Sequence, residues 1–128
     1  MKAYQYIILT LFVGITVLSC QKQTIQDMAE KEASEYTRRY CPTPPVNYIS
    51  TDSVTYNRKQ NKFTYYCTFS DVLDDTNVIK ENEAMIKDVL RKSITESTQM
   101  KSYVEAGFHF EYVCRSKKDK NDLLTVNF

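Results

Sequence analysis

The chain has 128 residues, with 17 basic and 16 acidic side chains, a formal net charge of +1 and 42% hydrophobic residues. This balance excludes a protein that binds nucleic acid or an anionic membrane through bulk positive charge. The length suits a single domain with one hydrophobic core.

The first twenty residues have the layout of an export signal. Met1-Lys2-Ala3 is a short, weakly basic start, residues 6–18 form an apolar run, and Val17-Leu18-Ser19-Cys20 ends it. The run is shorter than the roughly 20 residues that a membrane-spanning helix needs. An uncleaved helix and an ordinary signal peptide remain the alternatives.

This segment resembles the lipobox signals of bacterial lipoproteins, in which an apolar stretch precedes a small residue and a cysteine. The resemblance implies that residues 1–19 are a signal peptide and that Cys20 carries a diacylglycerol, with palmitate or a similar acyl group on its new amine. Val17 stands where the signal prefers leucine, and Leu18 follows it. Two or more acyl chains hold a protein firmly on a membrane, so we expect an anchor at Cys20 without a spanning helix.

The whole chain is similar in style to small uncharacterised lipoproteins of the Bacteroidota. In that group an acidic run after the lipidated cysteine accompanies surface export, whereas the first acid here is Asp27. The resemblance therefore implies an outer-membrane protein on the periplasmic side rather than at the cell surface. We expect residues 20–24 to be a lipidated tether and residues 25–128 to be one α+β domain.

The mature chain begins with a predicted helix from about Thr24 to Arg39. Thr24 is a good N-cap, Asp27 makes a weak capping box with it, and apolar residues recur at the helical period. The helix should end at residues 41–45, where three prolines favour an extended connector.

Residues 48–69 alternate with a period of two around a polar turn at residues 58–61. This pattern predicts an antiparallel hairpin with one buried face. The acidic residues 71–77 that follow do not fit a calcium-binding loop, because the glycine and the terminal glutamate of such a loop are missing. We interpret them as the N-terminus of a helix.

An apolar stripe predicts a second helical segment. The stripe is formed by Ile79, Met85, Ile86, Val89, Leu90 and Ile94. It weakens near Ser97-Thr98, and a further turn from Met100 to Ala106 should stop at Gly107.

A second hairpin closes the chain and completes the order α-β-β-α-β-β. Phe108, Phe110, Tyr112 and Cys114 alternate with polar residues, and Leu124, Val126 and Phe128 follow a polar turn at 116–122. We predict an α+β fold with a four-stranded antiparallel sheet and two helices on one face. Phe63-x-Tyr65-x-Cys67 recurs as Phe110-x-Tyr112-x-Cys114, which duplication and shared core chemistry explain about equally.

Three cysteines remain if Cys20 is lipidated, and an oxidising compartment permits a disulfide between two of them. Cys67 and Cys114 should face the same core, and they pair only if their strands are neighbours. Cys41 could reach either one, and a pair that contains Cys41 is the one that we favour. No C-x-x-C occurs, which argues against a thioredoxin-like function.

His109 is the only histidine, and it alternates with Phe108 and Phe110. It should point to solvent, on the face opposite Cys114, because an odd separation in a strand means opposite sides. No metal-ligand spacing surrounds it. We therefore predict no catalytic residue, no metal and no cofactor, with a small hydrolase that uses His109 as an alternative.

Both hairpin turns are basic, and Tyr is favoured at binding surfaces. The candidate partner-binding residues are Arg58, Lys59, Lys62, Tyr66, Lys117, Lys118 and Lys120. If the halves are arranged alike, both turns lie at one positive end that meets lipid phosphate or an acidic protein. Solvated turns are the plainer interpretation.

Together these features predict a membrane-anchored, non-catalytic binding or accessory module of the cell envelope. It would be held by lipid on Cys20, would bind a protein partner and would not bind nucleic acid. A periplasmic immunity protein that neutralises a secreted toxin is the second hypothesis, and the hydrolase is the third.

Overall fold

The computed structural model describes residues 22–128. The predicted signal peptide and Cys20 lie outside these residues, as does the start of the tether. The helices are α1 (Ile25–Tyr40), α2 (Thr76–Glu81), α3 (Glu83–Thr95) and α4 (Lys101–Glu105), and a short 3-10 helix spans Asp71–Leu73. The strands are β1 (Ile49–Asn57), β2 (Lys62–Phe69), β3 (His109–Ser116) and β4 (Asp122–Asn127). Between residues 22 and 128, no helix has the length and hydropathy to cross a membrane.

Helix α1 begins at the predicted N-cap. The Thr24 hydroxyl accepts from the Asp27 amide and the Asp27 carboxylate accepts from the Thr24 amide, each at 3.1 Å, which completes the capping box. The helix is fixed to strand β1 by Thr37, whose hydroxyl donates to the Val54 carbonyl and accepts from the Val54 amide at 2.9 Å. These two bonds satisfy backbone groups of an edge strand, which would otherwise be open to pairing with another chain.

The four strands form one sheet in the order β1-β2-β3-β4. Strands β1 and β2 pair antiparallel, as do β3 and β4, but β2 and β3 pair parallel. The prediction of a fully antiparallel sheet is therefore wrong. The helices return the chain from the end of β2 to its beginning, so β3 starts beside Lys62 and runs in the same direction.

The parallel pair brings the two similar sequence motifs into register. Opposite one another on the helix-covered face lie Phe63 and Phe110, Tyr65 and Tyr112, and Cys67 and Cys114. The phenylalanine rings stack at 5.6 Å and the tyrosine rings at 4.8 Å between centroids. The predicted inward faces of both strands are confirmed.

The connection between the hairpins contains three helices. Asp75 caps α2 by accepting from the amides of Asn77 and Val78, which confirms that this acidic stretch is a helix N-terminus. The predicted break after the apolar stripe is confirmed between Thr95 and Lys101. A second break at Asn82 was not predicted; its side-chain amide donates to the Val78 carbonyl at 2.8 Å.

Helices α1 and α3 both line the same face of the sheet, where the core lies. The core is built from the aromatic residues of β2 and β3, Ala29 and Ala33 of α1, and Ile86, Leu90 and Ile94 of α3. Met85 and Val89 were predicted in the same stripe, but they are 62% and 46% exposed. They lie on the flank of α3 beside the core stripe.

Candidate binding cleft

A cleft of about 180 Å³ lies between α1 and α3 on the helix-covered face of the sheet. We call it the central cleft. Six of its lining residues are Tyr36, Val54, Tyr65, Ser93, Met100 and Tyr112. Thr37 holds α1 against β1, and Arg91 of α3 lies over the Phe128 ring at 5.1 Å. The two helices therefore cover opposite edges of the sheet and leave the floor over Tyr65 partly open.

The hydroxyl groups at the floor of the central cleft are neutral. Burial raises the pKa of Tyr65 and of Tyr112 well above the usual value for tyrosine. The Tyr112 hydroxyl shares a 2.7 Å hydrogen bond with the Ser93 hydroxyl, which itself donates to the Leu90 carbonyl. The cleft therefore offers aromatic area with a few hydrogen-bonding groups, and Glu32 of α1 is the acidic residue among those that line it.

A second depression, of about 390 Å³, opens where α3 approaches the start of β1. We call it the apolar groove. It is lined by Tyr48, Val72, Leu73, Val78, Met85 and Val89, together with Ile49 and Ile86 and the polar Asn47 and Asn82. Four of the apolar side chains are substantially exposed: Met85 at 62%, Val72 at 55%, Val89 at 46% and Tyr48 at 45%. Exposed apolar side chains that are grouped rather than scattered are a feature of interaction surfaces.

The edge of the apolar groove is shaped by a tight turn. Val46 and Ile49 exchange backbone hydrogen bonds of 2.9 and 3.0 Å, and the two residues between them have positive φ angles, 52° for Asn47 and 68° for Tyr48. This is the backbone of a type I′ turn, which favours Asn followed by Gly. A tyrosine at the second position is conformationally costly, and such strain is concentrated at functional sites.

The two basic turns lie at opposite ends of the sheet. In the parallel pair Lys62 is opposite His109 and Phe69 is opposite Ser116, so the first turn precedes β2 at one end and the second follows β3 at the other. The single positive end expected from the sequence is therefore not formed. The parallel direction of the central strands is the reason.

Much of the positive charge in the first turn is already paired. Arg58 contacts the carboxylates of Asp27 at 2.5 Å and Glu30 at 3.1 Å, both on α1. The hydrogen bond from Arg58 lowers the pKa of Asp27 to about 2 and also lowers that of Glu30. Lys62 lies 3.5 Å from Glu111, whereas Lys59 is exposed.

The second turn is organised around Asp74, which is 7% exposed. Its carboxylate accepts from the Ser116 hydroxyl at 2.5 Å and from the Lys118 amide at 3.1 Å, and these bonds lower the pKa of Asp74. The Lys118 ammonium donates to the Asp74 carbonyl at 3.2 Å. Lys117 and Lys120 are exposed, so they are the free charges of this turn.

Tyr66 lies on the opposite face of the sheet from the central cleft and the apolar groove. The guanidinium of Arg115 lies over its ring at 5.3 Å. The candidate partner-binding residues from the sequence are thus distributed over two ends and one outer face, and none of them lines the cleft or the groove.

His109 is exposed at the start of β3. It borders a shallow depression with Gln60, Lys62, Phe110, Asn127 and Phe128, none of which is an acid or a thiol. Cys114 faces the core on the other side of the sheet. Among residues 22–128, no group of three His, Cys, Asp or Glu side chains is arranged to hold a metal ion.

The cysteines at positions 41, 67 and 114 are free thiols in this structure. Cys67 and Cys114 are buried and opposite each other. Cys41 follows α1 and is partly exposed. Burial is the main reason that the pKa of Cys41 is raised.

Sequence reasoning missed the apolar groove. A usable signal was present: Met85 and Val89 are four residues apart, so on a helix they form one apolar strip beside the core stripe. Tyr48 and Val72 complete the groove only because the start of β1 and the end of β2 lie side by side, and this depends on the tertiary structure.

Comparison with solved structures identifies proteins of the same fold. A protein of Pseudomonas aeruginosa, described as a candidate secreted protein, superposes with a TM-score of 0.65 at 17% identity, over 84% of this chain and 95% of its own. The type II secretion system pilotin AspS of Vibrio cholerae superposes with a TM-score of 0.59 at 13% identity, over 79% and 84% of the two chains. The pilotin EpsS from the type 2 secretion system of Vibrio vulnificus gives 0.54 at 10% identity, over 78% and 83%.

At these identities the likeness is one of fold alone. No curated protein matches the sequence. One family profile matches residues 24–124, from the N-cap of α1 into strand β4. The chain therefore belongs to the family described as a domain of unknown function, DUF8479.

Proposed function

We propose that this protein is a lipid-anchored accessory protein of the outer membrane that holds a protein partner in its apolar groove and catalyses no reaction. The observation that carries the proposal is the exposure of Tyr48, Val72, Met85 and Val89 around one groove. Apolar side chains that are grouped in this way gain free energy when a partner covers them, at about 25 cal/mol per Å² removed from water.

The comparisons support an accessory role in the envelope. Two of the proteins with this fold are pilotins of type II secretion systems. A compact domain attached to a membrane by lipid suits such a role, because it needs an anchor and a binding surface. This likeness of fold is the reason that we prefer the accessory role to the immunity protein.

The position of the anchor indicates what fills the groove. Arg58 holds the start of α1 against the first hairpin turn, so the tether leaves the domain at that end of the sheet. Tyr48 and Val72 lie just before β1 and just after β2, at the other end. The four residues from Cys20 to Gln23 span at most about 14 Å, whereas the eight residues of β2 span about 26 Å.

The groove opens at the end of the sheet opposite the tether, so a domain held by that tether alone should present the groove away from the bilayer. Its occupant is therefore a segment of another protein on the periplasmic side. The groove contains no charged residue among those that line it, so the segment should present apolar side chains to it.

Charge introduced into the groove tests the proposal. We expect Met85→Glu and Val89→Glu to abolish recovery of the partner that a photo-crosslinker at position 72, also in the groove, captures from native membranes. Ala84→Glu is the matched control, because Ala84 is an exposed residue of the same helix outside the groove. Equal capture by the Met85→Glu and Ala84→Glu proteins would refute the groove as the binding surface.

The identity of the captured protein separates the two binding hypotheses. Recovery of a component of a membrane complex supports the accessory role, and direct binding between the two purified proteins should then reproduce it. Recovery of a secreted toxin would favour an immunity protein instead.

The anchor itself needs a separate measurement. We expect the intact mass of the protein purified from membranes to correspond to a chain that starts at Cys20 with diacylglycerol and a further acyl group. A Cys20→Ser protein should be released into the soluble fraction. A native product with another N-terminus and no acyl mass would exclude the proposed location.

A further inference from the structure

Cys67 and Cys114 are the third of three pairs of identical residues that lie opposite each other in strands β2 and β3. On the helix-covered face of β2 and β3, the phenylalanine pair and the tyrosine pair are followed by Cys67 opposite Cys114. The tyrosine rings of the preceding pair stack at 4.8 Å, which shows that side chains on this face oppose each other directly across the strand pair.

The two thiols are enclosed together. Cys67 is 1% exposed and Cys114 is 0% exposed. The two side chains face each other across the strand pair, and the interaction between the thiols lowers the pKa of Cys67 and raises that of Cys114. The Thr51 hydroxyl lies 3.9 Å from the Cys67 sulfur on the side away from Cys114.

We propose that Cys67 and Cys114 form a disulfide in the exported protein and that Cys41 remains a thiol. Neighbouring strands lie about 4.8 Å apart, and this spacing falls within the Cα separation that disulfides accept, about 4.4 to 6.8 Å. The proposal rests on the proposed export, because the periplasm is oxidising and the cytosol is not.

The reaction is a thiol–disulfide exchange. Each thiol loses its proton, the two sulfurs form one bond, and two electrons pass to the disulfide of an oxidising thiol–disulfide oxidoreductase, which becomes a dithiol. One thiolate first attacks that disulfide, and the second thiolate resolves the mixed disulfide. Both sulfurs are closed off once the helices pack, so the exchange occurs while the sheet is still forming.

Cys41 is a poorer partner because strand β1 separates it from Cys67. Thr43 bonds to Thr51 through its amide at 2.9 Å and its hydroxyl at 2.8 Å. Thr51 is also the residue opposite Cys67 in the β1–β2 pair. The segment that contains Cys41 therefore lies at the outer edge of β1, one strand further from the core thiols.

The bond would join the two hairpins at the β2–β3 pair, where they meet in the sheet. Along the chain, strands β2 and β3 are separated by the long helical connection of residues 70–108. Strand β2 also supplies Tyr65 to the floor of the central cleft, beside Tyr112 of β3. The disulfide would thus keep the floor of the cleft in one register.

The test is thiol mapping of the full protein collected from cells under an acid quench. After denaturation without reductant and treatment with an alkylating reagent, we expect one modified cysteine, Cys41, and a peptide pair linked through Cys67 and Cys114. A linked peptide that contains Cys41, or alkylation at all three positions, would overturn the proposal.

Variants keep the assignment independent of folding defects. Cys41→Ala should leave the Cys67–Cys114 link intact and give no alkylated cysteine. Cys67→Ala should leave Cys114 open to alkylation after denaturation. If Cys67→Ala instead yielded a Cys41–Cys114 link while the unaltered protein had none between 67 and 114, the pairing would be wrong.

A second arm separates this proposal from the proposed location. The full chain is refolded in a glutathione redox buffer, where export plays no part, and its disulfides are mapped. A Cys67–Cys114 link there supports the pairing even if the cellular protein lacks acyl groups. Absence of the link in the buffer overturns the pairing, whether or not the cellular protein is acylated at Cys20.

Discussion

Tyr48 has a backbone conformation that side chains of its size rarely adopt. Its φ angle is 68°, and a left-handed residue other than glycine costs about 1–2 kcal/mol. The ring borders the apolar groove. A residue that opposes local stability yet contributes to an exposed surface suggests that its role is in binding.

Substitution of Tyr48 by glycine separates these two effects. We expect Tyr48→Gly to leave the free energy of unfolding unchanged or to raise it by up to about 1 kcal/mol, since relief of the left-handed strain outweighs the added flexibility of the unfolded chain. Binding of the partner should weaken because the ring is lost. Urea unfolding measures the first effect, with Tyr48→Phe as the control that keeps the ring. A large loss of stability would show that the ring is structural.

Asp75 tests the interpretation of the acidic stretch at the same scale. Its carboxylate accepts from two backbone amides at the start of α2. Asp75→Ala should lower the free energy of unfolding by about 1 kcal/mol, and Asp75→Asn, which retains a capping oxygen, should lower it much less. Calcium should not change the melting temperature of any of the three proteins. A calcium-dependent rise that Asp75→Asn removes would contradict the capping role.

Helix α1 and the first hairpin are joined by a charged contact at the end of the domain where the tether leaves. Arg58 pairs with Asp27 and Glu30, and the pKa of Asp27 falls from 3.8 to about 2 as a result. A carboxylate with a lowered pKa stabilises the folded state above its unfolded pKa. That contribution is lost as the pH falls through the folded pKa, so most of it should be lost between about pH 4 and pH 2.

The variant Arg58→Gln should therefore be less stable than the unaltered protein at neutral pH, and the difference should shrink as the pH falls through this range. Thermal unfolding followed at several pH values measures it. Lys59→Gln is the matched control, because Lys59 is an exposed neighbour in the same turn. A difference that is undiminished at pH 2 would mean that Arg58 acts through packing of its aliphatic stem rather than through its charge.

The local elements were predictable because their signals are short-range. The capping box at Thr24 and Asp27, the alternation through Phe63 and Phe110, and the loss of periodicity after Ile94 each depend on neighbouring residues. The break at Asn82 was missed, since the apolar stripe continues through it from Ile79 to Ile86. An asparagine that bonds to a carbonyl one turn earlier looks like any other polar position in the sequence.

The direction of the central strands belongs to the whole molecule, and the sequence pattern does not contain it. The motifs at Phe63 and Phe110 predict which face of each strand is buried, and that face is the same for a parallel or an antiparallel pair. Only the path of the helical connection decides between the two. The wrong strand direction also gave the wrong position for the basic turns, which the parallel pair places at opposite ends of the sheet. The apolar groove was missed for a related reason, because it forms only where the folded chain brings Tyr48 and Val72 beside α3.

The same topology predicts how the domain is oriented on a membrane. If lipid holds Cys20, the first hairpin turn lies within about 14 Å of the bilayer, and the second turn lies about one strand length further away. In acylated protein on vesicles, with Cys41→Ser as the background, a fluorophore at Lys59→Cys should be quenched by a headgroup quencher much more than one at Lys120→Cys.

Salt distinguishes the cause of this orientation. Arg58 and Lys62 are already paired with carboxylates, so the tether and not the charge of the turn should hold the domain near the surface. The quenching difference should therefore persist at 1 M salt, where exposed charges are screened within about 3 Å. Equal quenching at the two positions would show that the domain tumbles freely on its tether. Stronger quenching at Lys120 would mean that the basic second turn contacts the lipid, and the apolar groove at that end would then face the membrane rather than a protein partner.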